Sequence, residues 1–403
     1  MNEQLVVKNF GPFGEEGADV IFKKVTLLIG PTGSGKSTLA KLASVFREEV
    51  VQKTRSRTER KKRYESALEH YSLDEYAHKN SVVEWGSPKG TITVKRTSIT
   101  VKGWPFVKNG ISPSELFIKI LKGNMTHYSD AYTPHMQKLI AEKVEEELSS
   151  SEDYQNFKKA LLSNPHVIYI PAERIFTAII SAALASINVE DITLPRPLLE
   201  FCSTFAKARE KLASKKFEPK IFGDFSYRFN NGIDEILTPT GQVLQLNAVA
   251  SGIQTALPML LVAEFSRNKP WPVSLVVEEP ELNLFPITQS AALHALIAYT
   301  TPENYDLTIT THSPYILSSC NLLLEAYKVA QQRPELADEV DKIVPRTCWL
   351  NPDEFAAYYV AGGTVKPITD ERTHLIGGNE LDAVSGDISD SFRRLLQLKK
   401  QVA

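Results

Sequence analysis

The stretch VTLLIGPTGSGKSTLAKLA, residues 25–43, decides the fold of this chain. Its first five residues are apolar or β-branched and lead into Gly30, which predicts a short strand ending at this glycine. Apolar side chains then recur at helical spacing; they are Leu39, Leu42, Ala43 and Phe46. The stretch therefore predicts a strand, a loop and an amphipathic helix, the helix lying within residues 38–50.

The loop GPTGSGKST, residues 30–38, fits the spacing G-x-x-x-x-G-K-[ST]. Phosphate binding needs consecutive backbone N–H groups turned toward one anion, and glycines permit such a turn. Lys36 is predicted to reach the β- and γ-phosphates of ATP, and the Ser37 hydroxyl to hold Mg²⁺. A glycine-rich turn with a fortuitous lysine is the alternative, but the flanking strand and helix count against it. The predicted ATP-binding residues are Gly30, Pro31, Thr32, Gly33, Ser34, Gly35, Lys36, Ser37 and Thr38.

A second apolar run, SLVVEEPELNLFP at residues 274–286, contains two adjacent glutamates. A phosphoryl-transfer site needs an acid near Mg²⁺ and a group that orients or deprotonates the attacking water. Acids at the carboxyl end of a parallel strand lie where open α/β sheets bind ligands. We therefore predict Glu278 as a Mg²⁺ ligand and Glu279 as a catalytic residue, pointing to opposite sides of one extended strand.

His312 follows a third apolar run, LTITTHSP, in the same way. A histidine at a strand end can hydrogen-bond the γ-phosphate or the attacking water. Taken alone, such a histidine is more often structural. Its position one strand after the double acid favours a role in the reaction, so His312 is the second predicted catalytic residue.

The order strand, helix, strand around these motifs implies a parallel sheet with crossover connections. The fold class predicted is therefore α/β, with a mixed or parallel sheet at its core. The opening segments LVVKNFGPFG and VIFKKVTLLIG are each predicted as one strand, because short β-branched runs end in glycine or proline.

Residues 51–165 change to charged and mixed segments, which we interpret as an inserted lobe of helices and a hairpin. Its predicted elements are a hairpin with one solvated face around Ile92, Val94, Ile99 and Val101, and helices over residues 114–123 and 135–162. Residues 1–50 and 166–403 are predicted to form the main domain, with a mainly helical part at about 177–220.

Composition narrows the class of protein. The chain has 403 residues and a formal charge of −2, so any surface for nucleic acid or membrane must be local. Its three cysteines are far apart, which indicates a reducing compartment rather than a disulfide framework. The longest uncharged stretch, IFTAIISAALASINV, is shorter than the roughly 20 residues that span a bilayer. We expect a cytoplasmic protein without a signal peptide.

Four motifs in order, GPTGSGKST, ASGIQ, LVVEEPELNLFP and ITTHSP, resemble ABC-type ATPases of the SMC and OLD (overcoming lysogenization defect) group. The segment YIPAER and the tail NPDEFAAYYV…NELDAVSGDISDSFRRLL also resemble compact ATPases of bacterial anti-phage systems. The likeness covers residues 1–50 and 166–403. It implies a P-loop NTPase fold of ABC type that uses ATP and Mg²⁺ and acts as a homodimer, or as a higher oligomer built from dimers.

The resemblance also assigns Ser251, Gly252 and Gln254 to a signature motif that completes the site of a second subunit. The start of a helix suits this task, because its N–H groups and dipole face an anion. A simple helix cap, with Ser251 as N-cap, explains the same residues without any partner. The chain departs from the common pattern at Glu278, where most relatives carry aspartate, and at Ile253.

Further positions remain open. The glutamine that contacts Mg²⁺ in this superfamily is not identifiable; Glu173 or Arg174 could do related work, or could form a structural ion pair. Glu281 and Asn283 fall where the family has a loop that contacts the second subunit, so we predict contact rather than chemistry for both.

The resemblance implies an ATP-driven switch for a separate effector, a nuclease or toxin, in anti-phage defence. The region after His312 in this sequence is too short for the TOPRIM nuclease domain of full OLD proteins, so we expect a cutting activity to belong to another chain. Two alternatives stay open: a nucleotide-locked scaffold that sequesters an effector with little turnover, and an ATPase of DNA repair or chromosome handling. The absence of long heptads counts against the classical SMC form.

A basic run between Lys53 and Arg63 offers a surface for DNA. The residues that would contact DNA are Arg55, Arg57, Arg60, Lys61, Lys62 and Arg63. A solvated helix face is the alternative. Because the run contains no aromatic residue, base stacking on it is not expected.

Overall fold

The computed structural model describes residues 3–48, 51, 56–95, 98–103, 165–180, 194–212, 216–267, 269, 272–300 and 305–377. Several predictions fall outside these ranges. They are the helices at 114–123 and 135–162, the contact of Arg55 with DNA, part of the helical region at 177–220, and the tail that begins NELDAV.

Helices and strands alternate over much of the described chain. The helices are α1 (Lys36–Arg47), α2 (Arg57–His70), α3 (Ile175–Ile180), α4 (Arg196–Leu212), α5 (Ser251–Ser266), α6 (Pro286–Tyr299), α7 (Pro314–Gln332) and α8 (Ala337–Ile343). The strands are β1 (Glu3–Phe10), β2 (Ala18–Phe22), β3 (Val25–Ile29), β4 (Ala77–Ser87), β5 (Gly90–Lys95), β6 (Ser98–Lys102), β7 (His166–Ile170), β8 (Ser226–Asn230), β9 (Ile233–Leu237), β10 (Val243–Gln245), β11 (Val273–Glu278), β12 (Tyr305–Thr311), β13 (Phe355–Ala361) and β14 (Thr364–Pro367).

The central sheet has six strands in the order β14-β13-β3-β12-β11-β7, and every pairing except β13 with β14 is parallel. Ile29 at the end of β3 lies opposite Thr311 of β12 and Tyr359 of β13. Glu278 at the end of β11 lies opposite Thr310. The α/β class is confirmed, and the three motif-bearing strands end at one edge of the sheet.

The sheet is covered on both faces because successive side chains of a strand point to opposite sides. Leu27 and Ile29 pack in a core cluster with α5, α6 and α7, whereas Leu28 packs in a second cluster with α1 and the strands β1, β2, β4 and β5. All five residues of β3 are buried. An almost continuous apolar run such as VTLLI is typical of a parallel strand buried on both faces.

A second, antiparallel sheet runs in the order β2-β1-β4-β5-β6. It corrects the prediction of one strand for VIFKKVTLLIG, because the chain turns after Phe22 and gives β2 and β3 to different sheets. The turn is held by Thr26, whose hydroxyl oxygen accepts from the Lys23 N–H at 2.9 Å and whose hydroxyl donates to the Lys23 carbonyl at 3.1 Å.

The predicted hairpin is confirmed as β5 and β6, with Ile92, Val94 and Ile99 buried on one face. It does not stand apart, since β4 pairs with β1 and brings the hairpin into the N-terminal sheet. The boundary of an inserted lobe at residues 51–165 stays a prediction. Cys202, Cys320 and Cys348 are buried free thiols. In the part of the chain with assigned structure, no helix combines the length and apolarity needed to cross a membrane.

Candidate active site

The nucleotide loop connects β3 to α1 and is packed tightly from behind. Gly35 has a φ of 105°, which side-chain-bearing residues rarely adopt, and a Cβ there would lie 2.5 Å from Cζ of Phe13. A Cβ on Gly30 would lie 2.0 Å from the Val360 carbonyl oxygen. Both glycines are therefore required by packing as well as by the turn.

Lys36 is buried at the start of α1. Its Nζ donates to the carbonyl oxygens of Gly30 at 2.9 Å and Pro31 at 2.8 Å. Burial lowers the pKa of this ammonium to about 8, against the opposing attraction of three glutamates, Glu279 foremost. The lysine thus lies within the loop, where burial disfavours its charged form and the nearby glutamates favour it.

His312 lies between Lys36 and Glu279. Its Nε2 is 2.9 Å from the Glu279 carboxylate, while Lys36 Nζ is 3.1 Å from Nε2 and 3.4 Å from Nδ1. A proton on Nε2 allows this nitrogen to donate to Glu279 while Nδ1 accepts from Lys36. The structure therefore brings the three predicted residues into one contiguous polar chain.

The two adjacent glutamates separate in a way that the sequence analysis did not foresee. Glu278 is the last residue of β11, whereas Glu279 has left the strand with a φ of 43°. The left-handed turn at Glu279, and not strand alternation, directs the carboxylates to different partners. Glu278 Oε2 accepts from the Ala172 N–H at 3.3 Å, and Glu279 reaches His312.

Glu278 fits a Mg²⁺ ligand, and Ser37 stays the second ligand predicted from the sequence. Oε1 of Glu278 is buried and lacks a hydrogen-bond partner, which is costly for a carboxylate unless a cation is bound. Within the ranges described above, no three His, Cys, Asp or Glu side chains cluster as a protein-only metal site. Mg²⁺ in nucleotide sites takes most ligands from phosphates and water, so one hydroxyl and one carboxylate suffice.

Glu281 is a site residue whose role the sequence analysis missed. Its buried Oε1 accepts from the Thr311 hydroxyl at 2.5 Å and from the His312 N–H at 2.8 Å. The side chain thus anchors the loop that carries His312, while the subunit contact predicted for it stays a prediction. The third acid of EEPE was the available signal, but sequence alone does not reveal its partner on β12.

Arg174 is completely buried beside the glutamates. Its guanidinium donates to the carbonyl oxygens of Glu278 and Glu279, each at 2.6 Å, of Pro171 at 3.1 Å and of Thr255 at 3.3 Å. Burial lowers its pKa to about 10. The sequence analysis left open a structural ion pair of Glu173 or Arg174. Arg174 instead binds backbone carbonyl groups, and Glu173 is exposed.

The predicted signature residues lie at the start of α5. The N-cap is Ala250 and not Ser251, because the Ala250 carbonyl accepts from the N–H groups of Ile253 and Gln254. Ser251 is exposed, and a Cβ on Gly252 would lie 2.8 Å from the Asn283 carbonyl oxygen. The Gln254 amide donates to the carbonyl oxygens of Asn247 and Val249, which fixes the approach to the helix.

The basic run is partly paired within α2. Arg63 contacts Glu59 at 2.5 Å, and Lys61 contacts Glu65 at 3.6 Å, both one helical turn apart. Such pairs are common on solvated helix faces. Binding of DNA by this helix stays a prediction.

Comparison with known proteins adds a family and a set of similar folds. Residues 122–317, a little less than half of the chain, match the model of the AAA ATPase domain family. This range contains the signature residues, both glutamates and His312, but not the nucleotide loop. A search of the curated proteins finds no significant match.

Similar solved structures are SMC heads. One is the SMC head domain from Thermotoga maritima, with 13% identity over 92% of this chain and 99% of that chain and a TM-score of 0.39. Another is an SmcHead bound to the C-winged helix domain of ScpA, with 11% identity, 91% and 96% coverage and a TM-score of 0.44. A third is an Smc head with an extended coiled coil bound to the C-terminal domain of ScpA derived from Pyrococcus furiosus, with 12% identity, 97% and 99% coverage and a TM-score of 0.41.

The family match, the nucleotide loop and the carboxylates beside it define an enzyme that hydrolyses ATP. More narrowly, the loop GPTGSGKST between β3 and α1 and the mixed α/β sheet define a P-loop ATPase.

Proposed function

We propose that this ATPase forms a head-to-tail dimer in which each ATP lies between the nucleotide loop of one subunit and Ser251 and Gly252 of the other. ATP binding would hold the subunits together and hydrolysis would release them. The resulting cycle of association makes the protein a switch for a separate effector.

The observation that carries this proposal is an exposed edge beside the carboxylates. Gly252 packs against Asn283, so the start of α5 and the loop after Glu279 form one continuous surface on which Ser251 is exposed. Where this loop enters α6, 75% of Phe285 and 74% of Ile287 are exposed. Large apolar side chains grouped at the surface are typical of protein interfaces.

An apolar groove of about 470 Å³ continues from this edge between the first turns of α6 and α7. Its lining residues are Phe285, Pro286, Ile287, Ser290, Tyr315, Ser318, Ser319 and Leu322. One of its lining residues, Tyr315, lies three residues after His312 in the chain. A second copy seated on this surface would therefore contact both strand ends that carry the reaction.

In the proposed reaction, Lys36 binds the β- and γ-phosphates. Ser37 and Glu278 would hold Mg²⁺, which would supply positive charge to the phosphates when bound. Glu279 orients or deprotonates the attacking water, and His312 keeps Glu279 in place and contacts the γ-phosphate. The N–H groups at the start of the second subunit's α5 face the same phosphate. ATP hydrolysis therefore requires both subunits.

Mixing two inactive variants tests the composite site. Lys36→Ala removes the phosphate contact, and Ser251→Arg blocks the signature surface, so neither variant alone hydrolyses ATP. A mixed dimer contains one complete site, built from Lys36 of one subunit and Ser251 of the other. We expect partial recovery of ATPase activity on mixing; failure to recover, with both variants folded, would refute the proposal.

From the resemblance to anti-phage ATPases, we propose a nuclease or toxin as the effector. The scaffold alternative predicts tight ATP binding without measurable turnover by the wild type. Co-purification of the chain with the product of the neighbouring gene, with and without ATP, separates the two. A switch releases its effector when ATP is hydrolysed, whereas a scaffold retains it.

A further inference from the structure

We propose that Arg174 is a positioning residue that fixes the turn at Glu279 and links it to the signature helix α5. Through this link, contact of Ser251 with the second subunit would change the position of the Glu279 carboxylate, which acts on water. This inference rests on the proposed composite site.

The contacts of Arg174 join three separate parts of the chain. Its guanidinium donates to the segment that follows β7 through Pro171, to the end of β11 through Glu278 and Glu279, and to α5 through Thr255. A guanidinium presents its donors in a rigid planar fork, which a lysine ammonium cannot imitate. Arg174 therefore fixes the relative position of these segments.

The turn at Glu279 needs such support. Glu279 adopts a left-handed backbone conformation that is unfavourable for a residue with a side chain, and it is followed by Pro280. In this turn the carbonyl groups of Glu278 and Glu279 converge on one guanidinium. The cation also offsets the repulsion among the carboxylates of Glu278, Glu279 and Glu281.

Thr255 extends the connection to the exposed end of α5. Its hydroxyl donates to the Ser251 carbonyl at 2.9 Å and accepts from the Asn283 amide at 3.0 Å. A shift of Ser251 toward a phosphate on the second subunit is thereby transmitted through Thr255 to Arg174. The same shift reaches Glu279, two hydrogen bonds from Thr255 along this path.

Arg174→Lys tests the positioning role, and Arg47→Lys is its matched control. Arg47 is also buried and makes several polar contacts. Among them are contacts with Glu3 of β1 and with Ser274 and Asp306, which lie at the ends of β11 and β12 opposite to the site. We expect Arg174→Lys to lower kcat by about 10- to 100-fold with ATP affinity nearly unchanged. Arg47→Lys should lower the melting temperature and leave kcat nearly unchanged.

Equal kcat losses in the two variants, or a parallel loss of ATP affinity in Arg174→Lys, would show a merely structural role and overturn the proposal. If Arg174→Lys does not fold, Thr255→Val decides, because it retains the carbonyl that Arg174 binds and removes the links to Ser251 and Asn283. We expect this variant to bind ATP normally and to hydrolyse it more slowly. An unchanged kcat in a folded Thr255→Val protein would refute the transmission.

The mixing experiment distinguishes failure of this inference from failure of the composite site. If mixing restores ATPase activity but Arg174→Lys has the kcat of the wild type, only the role of Arg174 is overturned. If mixing restores no activity but Arg174→Lys still has a low kcat, the signal between subunits is refuted. The role of Arg174 in positioning Glu279 is then retained.

Discussion

Glu279 and His312 are joined by a 2.9 Å contact between the carboxylate and Nε2, across the ends of two neighbouring parallel strands. The backbone N–H of His312 is held in turn by Glu281, whose carboxylate accepts from it at 2.8 Å. Glu279 is therefore held both by its own turn and by a side chain that the adjacent strand supplies.

Glu279→Gln should retain ATP binding and strengthen ATP-dependent dimerisation while turnover collapses. The amide keeps the size and a hydrogen-bonding group but cannot accept a proton from water, so we expect a loss of about 100-fold or more in kcat. Phosphate release and sedimentation with ATP measure the two effects. Unchanged hydrolysis would exclude Glu279 as the catalytic acid.

Lys36 should make ATP binding sensitive to pH. Its pKa is lowered to about 8, so the ammonium that attracts phosphate is increasingly lost as the pH rises above this value. We expect ATP affinity to fall between pH 7.5 and 9.5, on the order of tenfold by loss of one charge-assisted contact. A Lys36→Arg variant stays charged in this range, and a similar fall in both proteins would assign the effect elsewhere.

The same lysine affects stability with a defined sign. Because the folded-state pKa is below the usual 10.5, the unfolded chain binds more protons than the folded chain between about pH 8 and 10.5. The buried ammonium thus destabilises the folded state fully below pH 8, and this destabilisation is lost as the pH rises. Relative to Lys36→Met, the wild type should gain up to about 3 kcal/mol across this window, measured by urea unfolding.

Glu281→Ala should slow hydrolysis with little effect on ATP affinity. The substitution leaves the Thr311 hydroxyl and the His312 N–H without their acceptor, which we expect to cost about 2 kcal/mol in unfolding free energy. A displaced His312 should lower kcat about tenfold. Thr311→Val removes one of the two contacts and should keep kcat close to the wild-type value; an equal loss in both variants would contradict an effect through His312.

Gly252→Ala should impair hydrolysis although alanine favours helices. The added Cβ would lie 2.8 Å from the Asn283 carbonyl oxygen, so either the helix start or the loop must shift. We expect weaker ATP-dependent dimerisation and a loss of about 1 kcal/mol in stability. Gly14→Ala is the control, since no atom lies within 4 Å of the new Cβ. Equal behaviour of the two variants would show that Gly252 is not constrained.

The sequence predicted the features that depend on local pattern. Hydrophobic runs ending at Gly30, Glu278 and His312 located three strand ends, and parallel pairing then placed them at one edge. Lys36, Glu279 and His312 are brought together as this reasoning requires. The hairpin at residues 90–102 followed from strict alternation of apolar and polar residues.

The parts that escaped prediction depend on contacts between distant segments. Arg174 follows β7, yet its donors reach Glu278 and Thr255, and no local pattern identifies these carbonyl groups as its partners. The left-handed turn at Glu279 was likewise hidden, because a glutamate before a proline gives no sign of positive φ. The split of VIFKKVTLLIG between two sheets arises from pairing of β2 with β1 and of β3 with β12, which the sequence does not specify.

The location of β3 has a consequence for synthesis of the chain. This strand leads into the nucleotide loop and is made well before its partners β12 and β13, which end at Thr311 and Ala361. A ribosome adding about 5–20 residues per second needs on the order of tens of seconds to supply them. Until Val360 emerges to pack behind Gly30, the nascent chain cannot complete its ATP site. Stabilisation by nucleotide therefore comes only after Val360 has left the ribosome, long after the buried strand VTLLI has been made.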